Sequence, residues 1–355
     1  VLYATFYMAK YQRQAHFYTY LMLFMGAMTG LVFSDNLMGL FIFWELTSVS
    51  SFLLIGFDHH LEKSRQAALQ SLLITGLGGL CLLFAVILIG QITGTYELSA
   101  LLEQGVSLTQ HPQYPLVFGL VLLAVLTKSA QFPFHFWLPG AMQAPTPVSS
   151  YLHSATMVNA GIFLLLRIHP LLGETLMWKS TLVLSGAITM FLGAFFSMGQ
   201  RDFKRILAFT TISALGTMVL LIGIDTEQSM KAALVFFIVH GLYKGGLFMV
   251  AGILDKATGT RDIKVLGHIW KPMPLTTLAA AFALISMAGL PPMLGFIGKE
   301  LIYDAKIQLP ALASWILPLG VGANILMVAI SLTVFIEVFW AGKRKQPVEM
   351  KHREG

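Results

Sequence analysis

Three lysines, Lys128, Lys244 and Lys299, lie deep inside stretches that otherwise read as lipid-spanning helices. Glu45, His135, His153, His240 and Glu300 fall within the same apolar stretches. A charged side chain in hydrocarbon costs at least ~2.5–3.5 kcal/mol on insertion scales, so it is kept for a partner or a purpose. A buried string of titratable groups suits the movement of protons or ions, each group passing charge to the next. Glu45 is the acid of its span, and Lys128, five residues before Pro133, is the expected partner for its charge. The bland alternative for Lys128 is a lysine that fills the cavity beside a broken helix. His240 and Lys244 stand four apart and share one helical face, which reads as a relay step. Lys299 and Glu300 follow Pro291-Pro292, with Asp304 one turn beyond Glu300. Adjacent residues point apart, so Lys299 and Glu300 are not a helical-face pair.

Other polar residues attract plainer readings. His153 follows the Ala-Pro-Thr-Pro turn, where capping is a strong alternative, and His135 stands beside Trp137 in an expected aromatic belt. Asp304 is expected to mark the end of its span. Arg167, near another span end, is expected to snorkel. Asp202, Lys204 and Arg205 read as a solvated charge cluster, and His59 and His60 receive no metal because the ligand set is incomplete.

These residues must be positioned by membrane helices. The 355 residues are 56% hydrophobic and only 11% charged, with mean hydropathy +0.74. Soluble domains carry roughly 25% charged residues, so the expected fold is an all-α polytopic membrane protein. The net charge of +6 does not point to nucleic acid, because the basic residues lie in short loops between apolar runs. The single Cys81 excludes a disulfide framework, a CxxC zinc site and a cysteine-ligated iron–sulfur centre within the chain. There is no GxGxxG element, and no cofactor or metal is assigned.

Apolar segments of spanning length run at about 16–33, 37–57, 66–92, 115–137, 146–169, 180–198, 206–224, 232–253, 274–308 and 312–341. That is about ten transmembrane helices. Residues 1–15 read as the stub of a preceding span and a loop, hence an N-terminally incomplete chain. Pro133 in the fourth segment and Pro291-Pro292 in the ninth predict broken helices. Ala67-Ala68-Leu69 with Gly76-Leu77 recurs as Ala232-Ala233-Leu234 with Gly241-Leu242, an offset of 165 that carries each early segment onto a later one. Five spans per copy is an odd number, so the copies, 16–170 and 178–341, are expected to be inverted, as in secondary transporters. Sixteen of the 23 basic residues fall on one side, in loops at 10–15, 58–65, 199–205 and 254–273 and in a basic tail at 342–355, and three (Lys179, Lys231 and Lys306) on the other. The richer side is expected to be cytoplasmic, in the inner (plasma) membrane.

Four motifs carry a resemblance that covers essentially the whole chain. They are Ser34-Asp35-Asn36 with Phe-Trp-Glu-Leu-Thr-Ser-Val-Ser-Ser-Phe-Leu-Leu-Ile-Gly (43–56), Thr-Lys-Ser-Ala-Gln-Phe-Pro-Phe-His-Phe-Trp-Leu-Pro (127–139), Ala-Pro-Thr-Pro-Val-Ser-Ser-Tyr-Leu-His-Ser-Ala-Thr-Met-Val (144–158) and Gly-Phe-Ile-Gly-Lys-Glu (295–300). With them the chain resembles the antiporter-like subunits shared by respiratory complex I and Mrp-type Na⁺/H⁺ antiporters, and looks most like the Mrp A subunits. The resemblance implies that Glu45 and Lys128 form the charge pair of a first half-channel, that His240 and Lys244 lie on the connecting helix, and that Lys299 stands near the exit. It departs from the pattern at Asn159, where Mrp A subunits usually carry a lysine, and at the ends, where the family has further N-terminal spans and a long C-terminal extension.

Three functional readings follow. The first is a proton-conducting subunit of a monovalent cation (Na⁺)/H⁺ antiporter that works with other membrane subunits in the lipid bilayer. The second is a membrane-arm subunit of a complex I-like quinone oxidoreductase or related membrane hydrogenase, with its redox centres on other chains. The third is a scaffold with degenerate channels, motivated by Asn159.

Overall fold

The computed structural model describes residues 1–307 and 310–340. Within them the chain is helical: α1 (Leu2–Met8), α2 (Gln14–Phe33), α3 (Leu37–Ile55), α4 (Glu62–Thr93), α5 (Leu98–Glu103), α6 (Tyr114–Lys128), α7 (Trp137–Gly140), α8 (Thr146–Ser154), α9 (Ala160–Leu172) and α10 (Leu176–Met198). They are followed by α11 (Phe203–Ile224), α12 (Glu227–Thr258), α13 (Pro274–Ala288), α14 (Leu294–Ile307) and α15 (Pro310–Val334), the last continuing into a π-helical turn at Phe335–Trp340. Among the described residues eight helical stretches are long and apolar enough to cross a membrane, and α6 and α13 are shorter apolar helices. All ten expected segments are therefore helical. The basic tail expected at 342–355 lies outside the described residues.

Local chemistry sets the ends of these helices. Asn36 caps α3 by accepting from the N–H groups of Met38 (2.9 Å) and Gly39 (3.2 Å), and Asp202 caps α11 by accepting from Arg205 N–H. Gly94 and Gly259 end α4 and α12 with φ of 76° and 75°, the left-handed conformation that only glycine adopts without strain. They stand 165 residues apart. Two isolated bridges recur in the same way, at 165 residues on the side that follows α4 and α12 and at 166 on the side that precedes α3 and α11. Tyr96 O accepts from Leu37 N–H (2.8 Å) and Asp35 O from Leu98 N–H (2.9 Å); Arg261 O accepts from Phe203 N–H (2.9 Å) and Arg201 O from Ile263 N–H (3.0 Å).

The two bridges sit at opposite ends of the molecule. Asp35, before α3, pairs with Arg167 (3.6 Å), and two residues on, His169 meets Asp225 at the end of α11. The start of α3 and the end of α11 thus share one end, so these two helices run antiparallel. At the other end, Arg13 meets His59 (2.7 Å), Lys256 donates to Tyr7 O, and Arg261 pairs with Asp202 (3.1 Å).

α11 is the axis of the fold, nearly all of it buried inside the chain. α10 lies against it with backbones almost touching. A Cβ on Gly186 or Gly193 of α10 would overlap the backbone of Leu220 or Ser213, and one on Gly216 that of Met190. Small residues permit such an approach where lipid supplies no hydrophobic drive between helices.

Both expected breaks occur, and the first is sharper than expected. α6 stops at Lys128, well before residue 137, because Ala130 takes a left-handed φ of 47° ahead of Pro133. After the break the chain forms short turns over Phe134–Gln143 instead of a second helical half. The second break lies between Ala288 and Leu294, around Gly289 (φ 73°) and Pro291-Pro292. A third interruption has no counterpart in the sequence reading. The segment read as one span at 146–169 is opened between Ser154 and Ala160, where Thr156 leaves the helical region and its hydroxyl bonds back to Tyr151 O (2.6 Å).

Candidate functional site

Lys128 ends α6 fully buried, and its ammonium crosses to α3. It donates to Trp44 O (3.0 Å) and Ser48 Oγ (2.8 Å) and lies 5.1 Å from the centre of the Trp44 ring. Glu45 is the next residue on α3, and its carboxylate lies against α4 at Gly79, where a Cβ would collide with it. No ion pair within 4 Å joins Glu45 to Lys128 among the described residues. The expected pair is not made as an ion pair, because the lysine spends its hydrogen bonds on the α3 carbonyl and hydroxyl beside Glu45. The carbonyls freed by the break are met by protein. Thr127 O accepts from Trp137 Nε1 (2.9 Å), and Leu126 O from Gln131 N–H (2.8 Å).

From Lys128 a chain of polar contacts leads to the middle of the molecule. Ser129 Oγ donates to Val158 O (2.7 Å), beside Asn159. Asn159, 1% exposed, donates through its amide to Ser154 O (3.1 Å), so it bridges the interruption between α8 and α9. Ser154 and Ala155 pack against Gly241 and Gly245 of α12, on either side of Lys244 in sequence register. His153, expected as a possible cap, is instead fully buried with its ring 6.2 Å from Trp137. Neither of its ring nitrogens has a hydrogen-bond partner among the described residues.

His240 and Lys244 are both fully buried on α12, as their spacing required. Lys244 donates to Leu207 O (2.9 Å) and to the Thr210 hydroxyl of α11. The 165-residue offset gives this contact meaning. Lys244 stands where Gly79 stands in the first half, and the cap and bridge that relate α3 to α11 at an offset of 166 put Thr211, next to Thr210, where Glu45 stands. The same helix–helix junction thus carries an acid facing a glycine in one half and a hydroxyl facing a lysine in the other.

Lys299 follows the second break and returns to it, donating to Ala288 O (2.7 Å) and to Asn324 Oδ1 of α15. Its stem passes so close to Gly289 that a Cβ there would fall 2.8 Å from Cε. Glu300 and Asp304 point outward and are exposed, so neither joins the buried chain. His135 is half-buried, stacked between Phe132 and Phe196 at 6.0 and 6.4 Å, in keeping with an aromatic setting. Arg167 is partly exposed and pairs with Asp35. Among the described residues no group of three or more His, Cys, Asp or Glu could hold a metal ion.

Two lysines lie elsewhere than the sequence reading puts them. Lys204 is fully buried rather than solvated, and donates to Ala144 O (2.7 Å). Helical periodicity separates it from Arg205, which stays exposed. Lys306 is not a loop residue but lies 3% exposed on α14. Its spacing of seven from Lys299 places both on one face, and is the available signal.

Residues 34–327 match the family described as NADH:quinone oxidoreductase/Mrp antiporter, TM. The chain belongs to this family. With its helices it is a multi-pass membrane protein. Among curated relatives, a probable K⁺/H⁺ antiporter A/B subunit of Rhizobium meliloti (strain 1021) is 48% identical over 307 residues, covering 86% of this chain and 31% of that protein. The A subunit of the Na⁺/H⁺ antiporter of Bacillus subtilis (strain 168) is 46% identical over 319 residues, covering 86% and 40%. The Mrp complex structure from Dietzia sp. DQ12-45-1b contains a chain that superposes with TM-score 0.83 at 40% identity, covering 92% of this chain and 36% of that one. The chain thus spans about a third to two-fifths of the length of these Mrp-family relatives.

Proposed function

We propose that this chain is the proton-conducting part of a multisubunit monovalent cation/proton antiporter, exchanging Na⁺ or K⁺ for protons together with other membrane subunits. The observation that carries this reading is the run of ionisable groups from half-buried Glu45 and buried Lys128, past buried His153 and Asn159, to buried His240 and Lys244 and half-buried Lys299. Relatives named as Na⁺/H⁺ and K⁺/H⁺ antiporter subunits, and the likeness to a chain of an Mrp complex, support it.

In this mechanism Lys128 passes its proton along the Ser129–Val158–Asn159 contacts when its hold on Trp44 O and Ser48 loosens. Glu45, one residue on, favours the charged lysine at close approach and releases it on withdrawal. Asn159 cannot store a proton, so it orients carriers between the halves. His240 and Lys244 receive the proton, and Lys299 takes it toward the end of α14. One carboxylate oxygen of Glu45, both ring nitrogens of His153 and His240, and the amide oxygen of Asn159 are buried without a hydrogen-bond partner among the described residues. Buried polar atoms of that kind are ordinarily paired by ordered water, the medium of proton transfer between side chains.

The same reading takes 16–170 and 178–341 as two inverted five-helix copies. It is supported by the bridges and caps that recur at offsets of 165 and 166, and by the antiparallel course of α3 and α11. It places the loops at 10–15, 58–65, 199–205 and 254–273 on the cytoplasmic side of the plasma membrane.

The test is ΔpH-driven Na⁺/H⁺ and K⁺/H⁺ exchange in inverted vesicles holding the full complex, with wild type compared with Lys128→Ala. Exchange in the wild type and its loss in the variant are expected. Proton pumping only with quinone-linked electron transfer would favour a complex I-like membrane-arm subunit, which the family description also covers. Undiminished exchange in both Lys128→Ala and Lys299→Ala would leave a scaffold.

A further inference from the structure

We propose that Lys306 is a further proton-carrying residue, which takes the proton from Lys299 and moves it toward the C-terminal end of α14; this rests on the relay reading above. The two lysines lie seven residues apart, on one face of α14, about 10 Å along its axis. Both line the same cavity, of about 50 Å³, with Tyr303, Asn324, Ser213 and Thr217. A water needs roughly 10–15 Å³ of such volume, so the cavity has room for a short file.

α15 fixes how near the two amines come. Lys299 bonds Asn324, while the Lys306 ammonium lies beside Gly320, where a Cβ would fall 2.6 Å from Nζ. Gly320 and Asn324 are one turn apart, so the two amines address successive turns of one helix, spaced by about 6 Å. α14 runs away from its break toward Ile307, which gives the step a direction.

The surroundings of Lys306 are those of a transfer group. Its nearest partner is the thioether of Met190 on α10 at 4.0 Å, and the Tyr303 ring lies 5.8 Å from its ammonium. α11 presents Ser213 and Thr217, α12 presents Tyr243, α14 presents Lys299 and Tyr303, and α15 presents Asn324. Among the described residues no carboxylate lines the cavity, and Glu300 and Asp304 of the same helix are exposed. Two ammonium groups in one small cavity without a counter-charge repel each other, which favours one proton at a time. Lys204, by contrast, holds Ala144 O (2.7 Å).

Three substitutions in the assembled complex separate the possibilities. Lys306→Met keeps the volume and removes the charge. Lys306→Arg keeps the charge but cannot release a proton. Lys306→His restores a group that titrates, at lower pH. With assembly checked on native gels, the Met and Arg variants are expected to lose exchange at least about ten-fold, as proton-transfer groups do. The His variant is expected to recover part of it, with its optimum displaced to more acidic pH. Full exchange with an unchanged pH profile in either the Met or the Arg variant overturns the proposal. Lys128→Ala in the same vesicles keeps the two ideas apart. If it abolishes exchange while Lys306→Met does not, only the assignment of Lys306 fails; if it too is silent, the relay itself fails.

Discussion

Asn159 shows how one side chain can join two helices and two halves of a path. Its amide N–H holds Ser154 O, the carbonyl left free where α8 gives way to α9. Asn159→Leu removes that donor and leaves a buried carbonyl unpaired, which costs about 1–3 kcal/mol. A lowered midpoint of thermal unfolding in detergent is expected, together with loss of exchange, and an unchanged midpoint would show that the interruption does not depend on the amide. At this scale much is legible in the sequence. Lys128, Lys244 and His240 are buried, as their apolar surroundings required. Lys204 and Lys306 escape such a reading, because hydropathy assigns residues near a segment's end to the loop, whereas burial follows the helical face.

Among the elements, the contact between α10 and α11 holds the centre of the fold. Gly216→Ala would push a methyl into the backbone of Met190, and an overpacked interior typically costs about 1–3 kcal/mol. The assembled complex is expected to lose yield and thermal stability, while the equivalent change at Gly26, which faces open space, leaves both unaltered. Prolines stand at the breaks at Pro133 and Pro291-Pro292, so both can be read from residue type. The interruption at 155–159 contains neither proline nor glycine, and its hydrogen bonds run from Thr156 to Tyr151 and from Asn159 to Ser154. Those are pairings between side chain and backbone that hydrophobic periodicity does not register. Likewise, the short turns over 134–143 replace a helix because Trp137 is turned inward to hold Thr127 O.

For the molecule as a whole, the join between α9, α10 and α11 is built on Asp225. Its carboxylate, one residue beyond the spanning helix α11, meets His169 (2.5 Å), Glu174 N–H (2.9 Å) and Lys179 (3.6 Å). Burial pushes the carboxyl's pKa up, but these partners together hold it below the ordinary 3.8. A carboxyl lowered on folding contributes stability above its ordinary value and loses it as pH falls through the lowered one. Asp225→Asn is therefore expected to unfold at a lower temperature than wild type at pH 7, with the gap closing as the pH is brought well below 3.8. A gap that persists in acid would assign the effect to shape rather than charge. The spans and the 165-residue offset are legible across this scale, since both are written in composition and order. The antiparallel course of α3 and α11 becomes concrete only through contacts such as Arg167 with Asp35, which join residues far apart in sequence.

On the proposed relay, the exchange of Glu45 for a threonine (Thr211), and of Gly79 for Lys244, has an electrical consequence. In the first half a proton arrives beside a carboxylate and can be carried as part of a neutral pair. In the second, Lys244 and Lys299 meet a hydroxyl, carbonyls and an amide and Lys306 a thioether, so a proton on that relay would be a net positive charge inside the bilayer. A full elementary charge moved across the membrane gains or loses about 2.3 kcal/mol per 100 mV. On that relay the two halves of one chain would sense voltage unequally, with the membrane potential acting on the proton mainly in the second half.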